Sequence, residues 1–241
     1  MECVKILPML ILASNSPRRK QLLALGGWDF STLTPQVDER VLSGESPSRY
    51  VCRLAELKAR AAAALLGDEI QEAVILAADT TVINPLDGEQ ISGGFEILGK
   101  PLDGDEAAEM LRKLRGRIHQ VVTGLALLRL PEGRLTIEAV ATDVPMRAYT
   151  DQEIQAYIAT GDPLDKAGAY AIQHPVFRPV QNLQGCYANV MGLPVCRAAR
   201  ALADFGLQPR SRVAEQCQQY LDYPCPVFRQ ALEQEKFTAE T

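Results

Sequence analysis

Apolar runs and punctuated polar stretches alternate along the chain closely enough to define most of its elements. Met9 to Ala13 is a short apolar run, and Ser16-Pro17 just behind it supplies an N-cap and a first helical residue. The pattern predicts a buried strand, then a helix carrying residues 18–25 that is stopped by Gly26. A second strand is expected near 30–33, after which Ser46-Pro47 opens a long helix whose alanine-rich body reaches about Leu66. AVILAADTTVI, residues 73–83, is continuous enough for a strand buried on both faces. The Asn-Pro, Asp-Gly and Gly-Gly pairs across 84–94 predict turns and a small hairpin. Asp103 with Glu106 has the pattern of a capping box for a helix ending near Gly116. A strand at 121–130, a turn at PEGR and a returning strand at 135–147 follow. Thr150 with Glu153 marks a second capping box, with Ile154, Tyr157 and Ile158 forming that helix's apolar face. GDPLDKAGAYAIQ, residues 161–173, reads as a loop and a strand. Val195, Ala198, Leu202 and Phe205 outline a last amphipathic helix, with Pro194 in its first turn and Gly206 at its end. From Gln208 onward the chain is polar and weakly patterned.

This alternation predicts an α/β fold around a mixed central β-sheet flanked by helices, because the antiparallel stretch at 121–147 does not fit a simple doubly wound sheet. With 241 residues and 47% hydrophobic composition, the expected organisation is one domain, 1–207, and a tail, 208–241, of unknown role. No apolar run approaches the roughly 20 residues that a membrane helix needs, and Met9 to Ala13 reads as a strand rather than a signal peptide. Cys3, Cys52, Cys186, Cys196, Cys217 and Cys225 form no C-x-x-C pair and no zinc-like spacing, so they are expected to be reduced, mostly core thiols of a cytosolic protein. A net charge of −5 argues against a general nucleic-acid binder, whose surface must neutralise phosphates. Any anion site must therefore be a local basic cluster.

Three places stand out for chemistry. SNSPRRKQLL puts Arg18 and Arg19 in the first turn of a helix, where they oppose the helix dipole unless an anion binds there too; the plain alternative is two arginines in water. On a helical wheel for 50–65, Tyr50, Leu54, Ala61 and Leu65 share one face with Lys58 inside the arc, while Arg49, Arg53, Glu56 and Arg60 face solvent. Lys58 then either snorkels to the edge or aims at a buried anion. Asp79 follows VILAA at the expected carboxyl end of a buried strand. An unpartnered carboxylate there is costly, which calls for a metal or hydrogen-bonding partners, although capping the next turn would also explain it. Asp38 and Glu39 in PQVDER, Lys100 in LGKP, and Asp165, Lys166 and Gln173 are individually ordinary loop residues. Together they provide cations for phosphates and carboxylates for Mg²⁺ or Mn²⁺ and for water. No G-x-x-x-x-G-K-[ST] loop is present, and His119 and His174 are too few and too separated for a metal cage, so both read as structural.

In this order, ASNSPRRKQLL, PQVDER, RLAELKA, AADTTV, LGKP, VVTGLAL, GDPLDKAGAYAIQ and YANVMGLPV closely resemble the Maf-like nucleotide pyrophosphatase family over about residues 9–206. The resemblance implies two lobes around a nucleotide cleft, a divalent metal, often a homodimer, and a cytoplasmic enzyme that removes pyrophosphate from nucleoside triphosphates. It implies that Asp79 is the catalytic proton acceptor, that Arg18, Arg19, Lys58 and Lys100 bind phosphates, and that Glu39 is a metal carboxylate beside Asp79. Arg18, Thr80 and Gln173 match the subgroup acting on dTTP and UTP, whereas relatives of the 7-methyl-GTP type carry a non-Arg residue, Gln and Glu at these positions. The neutral amide of Gln173 offers a donor and an acceptor to a pyrimidine's imide edge. A non-catalytic nucleotide-binding regulator of septum formation is the alternative from another class. The 84–94 hairpin is longer than the family pattern leads one to expect, and the tail has no counterpart in it.

Overall fold

The computed structural model describes residues 8–67, 72–86 and 94–233. Residues 87–93 of the hairpin expected at 84–94, Cys3 and residues 234–241 lie outside this set. The strands are β1 (Met9–Ala13), β2 (Phe30–Leu33), β3 (Ala73–Pro85), β4 (Phe95–Leu98), β5 (Ile118–Leu130) and β6 (Arg134–Pro145). The helices are α1 (Pro17–Ala24), α2 (Pro47–Leu66), α3 (Gly104–Leu114), α4 (Asp151–Ile158), α5 (Tyr187–Val190), α6 (Val195–Asp204), α7 (Val213–Leu221) and α8 (Phe228–Glu233). The sheet is mixed, in the order β2-β1-β3-β5-β6, with β4 on the far end of β3.

Two lobes share the long strands β3 and β5. In the first, β1 lies parallel to β2 and β3, with one core on each sheet face. Leu22, Leu23, Leu202 and Phe205 fill one face, and Ile11, Ala55, Ala59 and Ala62 fill the other. The second lobe gathers Leu111, Leu114, Tyr149, Ile154 and Tyr157 around α3 and α4. Between the lobes the sheet is split. Pairing of β1 with β3 ends at Leu12–Leu76 and pairing of β4 begins at Val82–Leu98, so residues 77–81 have β5 on one side and no described strand on the other.

Asp79 therefore sits in mid-strand rather than at the end of one, because β3 runs on to Pro85 to pair with β4. It still stands just beyond the carboxyl end of the parallel part of the sheet, where open α/β sheets form crevices.

Helix α2 is set against the sheet by small residues. Its buried face is Val51, Leu54, Ala55, Ala59 and Ala62, while Leu65 is 63% exposed, so the wheel reading is corrected by a rotation of about one residue. The rotation follows from Gly124 on β5, where an added Cβ would lie 2.4 Å from the Val51 carbonyl oxygen. Only a residue without a side chain lets the helix backbone approach so closely. Gly124→Ala is expected to destabilise the fold by roughly 1–3 kcal/mol, seen as a lower urea midpoint at unchanged slope. An unchanged midpoint would mean that α2 does not rest on this glycine.

Three further expectations are corrected. Residues 161–173 form two short 3₁₀ turns, 162–165 and 167–169, in place of a strand. Pro163 and the left-handed Gly168 (φ +67°), which is pressed against Val82, break extended pairing. The first capping box is half-formed: the Asp103 side chain accepts from Glu106 N–H, but the Glu106 carboxylate accepts from Leu102 instead. The box at Thr150 and Glu153 is complete. The weakly patterned tail contains α7 and α8, and Val213 and Cys217 of α7 join the main core, where burying a Val side chain contributes roughly 1.5–3 kcal/mol. His119 is structural as expected. It bonds the Tyr170 hydroxyl at 2.8 Å, and burial pushes its imidazole down to about 3.

Candidate active site

The split in the sheet is where the charged side chains meet. The chain leaves β1 at Ala13, and the buried Ser14 accepts from Ser16 N–H, while the Ser16 side chain caps α1 by accepting from Arg19 N–H. This turn throws Arg19 across the gap. Its guanidinium donates from Nε to the Gly192 carbonyl at 2.9 Å, from Nη2 to Thr80 Oγ1 at 3.1 Å and from Nη1 to Ser14 Oγ at 3.4 Å. Three of its five N–H donors are thus bonded among the described residues, and two remain to take an anion. Burial lowers its pKa and the fields of Asp79 and Glu39 oppose that; a guanidinium stays charged under such pressure.

Thr80 is the hub of the anchor. The Thr123 hydroxyl donates to the Asn189 carbonyl at 3.2 Å, so it is Thr80 that donates across the 2.9 Å bond to Thr123 while accepting from Arg19. Asn189 is itself fully buried, its amide donating to the Val121 carbonyl and to Thr142 Oγ1. A relay of polar groups from α5 to β6 fixes the arginine.

One strand position away, Asp79 is 7% exposed and accepts from Lys58 Nζ at 2.6 Å. The same ammonium lies 2.7 Å from Glu39 Oε1, so one lysine joins two carboxylates that come from different elements. Lys58 is not snorkelled: its side chain is 13% exposed, and the alternative of aiming at a buried anion describes it better. Glu39 stays below its ordinary value. Partial burial acts to raise it, but Lys58, Lys100 and Arg19 outweigh that effect. Tyr50 donates its hydroxyl to the Glu39 carbonyl at 2.9 Å, and burial, reinforced by Asp79 and Glu39, pushes its phenol up to about 12.

Arg19, Lys58, Asp79, Thr80 and Glu39 are therefore in one place, and the exposed Lys100 joins them through its field on Glu39. Arg18 is half-buried in the first turn of α1, and its charge is felt by Tyr157 of the second lobe. Gln173 is half-buried in the turn at 172–173, beside His174, whose ring meets Tyr157 at 4.7 Å. Lys166 and Asp165 pair with each other, and Lys166 also pairs with Asp162 at 2.9 Å, which makes them a local brace. Asp38 pairs with Arg40 at the exposed loop and takes no part.

Sequence reasoning missed Ser14, Tyr50, Thr123, Asn189 and Gly192. Thr123 lies in VVTGLAL and Asn189 and Gly192 in YANVMGLPV, and Gly192 (φ +108°) is needed because a Cβ would come within 3.3 Å of Thr80 Oγ1. Asp79 and Glu39 supply two carboxylates. Among the described residues no group of three or more His, Cys, Asp or Glu side chains is gathered as a metal cage.

Residues 9–205 match the family described as Maf-like protein. The dTTP/UTP pyrophosphatase of Chlorobium phaeovibrioides is 45% identical over 196 residues, covering 81% of this chain and 96% of that one. The dTTP/UTP pyrophosphatase of Geotalea uraniireducens is 44% identical over 197 residues, with 82% and 95% covered. A solved nucleoside-triphosphatase / dITP/XTP pyrophosphatase from Mycobacterium abscessus is 19% identical at a TM-score of 0.33 over 57% of this chain and 72% of that one, a likeness too loose to bear on the site. With the family pattern running through both lobes and the split between them, the chain belongs to the Maf-like protein family.

Proposed function

We propose that this chain is a nucleoside triphosphate pyrophosphatase that converts dTTP or UTP to the monophosphate and pyrophosphate. The observation that carries the reading is Asp79, nearly enclosed in the sheet gap, ion-paired to Lys58 and next in the chain to Thr80, which holds the oriented Arg19. Relatives named for that activity share 44–45% identity with it over most of its length.

The triphosphate lies across the start of α1. Arg19 offers its two remaining N–H donors, Lys58 and Lys100 approach from α2 and the β4 loop, and Arg18 closes from the outside. Asp79 orients a water and takes its proton as the water oxygen attacks the α-phosphorus. The bond to the bridging oxygen breaks, and the charge that develops on pyrophosphate is met by the same cations. Gln173 faces the base and reads a pyrimidine's imide edge with its amide.

Four cations facing two carboxylates leave a surplus of two positive charges, fewer than a triphosphate requires, which is the charge logic for a divalent cation. The residues present fit one: the oxygens of Asp79 and Glu39 converge on a single cationic atom, and as hard oxygen donors they would hold Mg²⁺ or Mn²⁺. When bound, that ion supplies neutralisation of phosphate charge. Residues 1–207 form the catalytic domain in this proposal, and the enzyme acts as a cytoplasmic homodimer, whose mass light scattering would measure.

The test is a panel of nucleoside triphosphates with pyrophosphate and phosphate quantified separately, with Mg²⁺, with Mn²⁺ and with excess EDTA. Turnover of dTTP and UTP is expected at least ~10-fold above that of purine and 7-methyl-GTP substrates, with pyrophosphate as product and loss under EDTA. Release of single phosphates, or equal rates across the panel, would overturn the assignment.

A further inference from the structure

Away from this site, four of the chain's six cysteines are drawn together where the C-terminal helices meet the sheet. Cys186 is the N-cap of α5, Cys196 lies in α6, Cys217 in α7 and Cys225 between α7 and α8. They line one common void of about 10 Å³, room for a single water and nothing larger. The group is not arranged to hold a metal ion. All four are free thiols.

Two of the four are set apart by their contacts. Tyr223 donates its hydroxyl to the carbonyls of Leu183 and Gly185 at 2.9 and 3.0 Å, and its ring meets that of Tyr187 at 5.5 Å, so the 223–225 segment is clamped onto 183–187. Cys225 N–H donates to the Gln218 side chain at 3.1 Å, and Cys186 and Cys225 share the wall of the same small void. Both residues are half-buried, whereas Cys196 and Cys217 are buried. A cavity of about 330 Å³ between β6 and α8, with Thr142, Gln184, Cys186, Cys196, Val227 and Gln230 in its walls, opens the Cys186 side of the cluster to solvent.

We propose that Cys186 and Cys225 form a peroxide-oxidisable thiol pair, a modification site at which a disulfide staples the chain beyond the family's matched region to the helix whose Asn189 carbonyl anchors the Thr123–Thr80–Arg19 relay. The nucleophile is Cys225. The neighbouring Cys186 thiol holds the Cys225 thiol below its ordinary value, which favours its thiolate. Cys186 is raised by Cys225 and by burial, and burial pushes Cys196 and Cys217 up to about 11 and about 12, which keeps them inert.

The Cys225 thiolate attacks one oxygen of hydrogen peroxide, the O–O bond breaks, and the departing hydroxide takes up a proton as water. Cys225 is then a sulfenic acid. The Cys186 sulfur attacks it, the S–O bond breaks, and the leaving hydroxyl takes the Cys186 proton to form a second water. Two thiols are oxidised by two electrons, one peroxide is reduced, and one S–S bond is made.

The test uses the full reduced chain titrated with hydrogen peroxide in the absence of reductant. Thiol counting should fall by two of the six, dithiothreitol should restore both, and chymotryptic peptide mapping should recover a Cys186–Cys225 cross-link, since cleavage after Tyr187 and Tyr220 separates each from its neighbouring cysteine. Cys196→Ser and Cys217→Ser should leave the link intact, and Cys225→Ser should abolish it. The oxidised chain should melt roughly 5 °C higher than the reduced one. Sulfinic acid at Cys225 with Cys186 still free, a link to any other cysteine, or an unchanged thiol count would overturn the proposal. The outcome does not depend on the nucleotide activity.

Discussion

Asp79→Asn is expected to lower kcat by about 10³-fold, within the range of a positioned general base, while nucleotide binding is retained or tightened. The amide keeps the carboxylate's shape, and Lys58 keeps Glu39 as a partner at 2.7 Å, so the fold should survive the exchange. Binding should not suffer because the substitution removes a negative charge beside Arg19 and Lys58, the cations meant for phosphate. Steady-state pyrophosphate release together with calorimetric titration of dTTP separates the two effects. Near-normal turnover would refute the role of Asp79. A cellular phenotype that persists in this variant would instead favour the non-catalytic regulator.

The second large effect is expected from Lys58→Met, which preserves the side chain's length and packing but removes the ammonium from between two carboxylates. Loss of the phosphate contact should cost roughly 10²–10³-fold in kcat/KM, the equivalent of ~3–4 kcal/mol. A pH signature should accompany it. In the native chain burial raises Glu39 but Lys58 and its neighbours win, so Glu39 is depressed below its ordinary 4.5. A depressed carboxylate contributes stability that is present above the unfolded value and is lost as pH falls through the folded one. Without Lys58, only Lys100 and Arg19 are left to oppose burial, so the depression of Glu39 shrinks and with it the stability lost as pH falls through its folded value. Urea midpoints measured from pH 3 to 6 should therefore fall less steeply toward acid in the variant. Parallel profiles for the two proteins would show that Lys58 does not control Glu39.

Local signals carried much of the architecture. Ser16-Pro17 and Ser46-Pro47 start α1 and α2 where punctuation says they should, the Thr150–Glu153 box is closed, and β2 coincides with its expected span. These are decided by neighbours within one or two turns of chain, which is the range at which sequence pattern acts. The strand expected in 161–173 failed because what fixes that segment is the fit of Gly168 against Val82, a contact between residues far apart in sequence. The tail failed for a related reason, since α7 is held by burial of Val213 and Cys217 in a core made elsewhere.

The site divides in the same way. The charged side chains that meet there were legible because Arg19, Lys58, Asp79 and Glu39 are chemically conspicuous in an acidic chain and fall within recognisable segments. Its neutral members were not. Ser14, Thr123, Asn189 and Gly192 have ordinary side chains or none, and they matter only through hydrogen bonds and close approaches that span up to 173 positions. The amino-acid sequence by itself determined which elements form and which charges are available. The tertiary structure alone decided that β1 and β4 leave a gap on β3, that Gly124 admits α2, and that one ammonium joins two carboxylates there, because strand register and side-chain convergence are set by packing between distant segments.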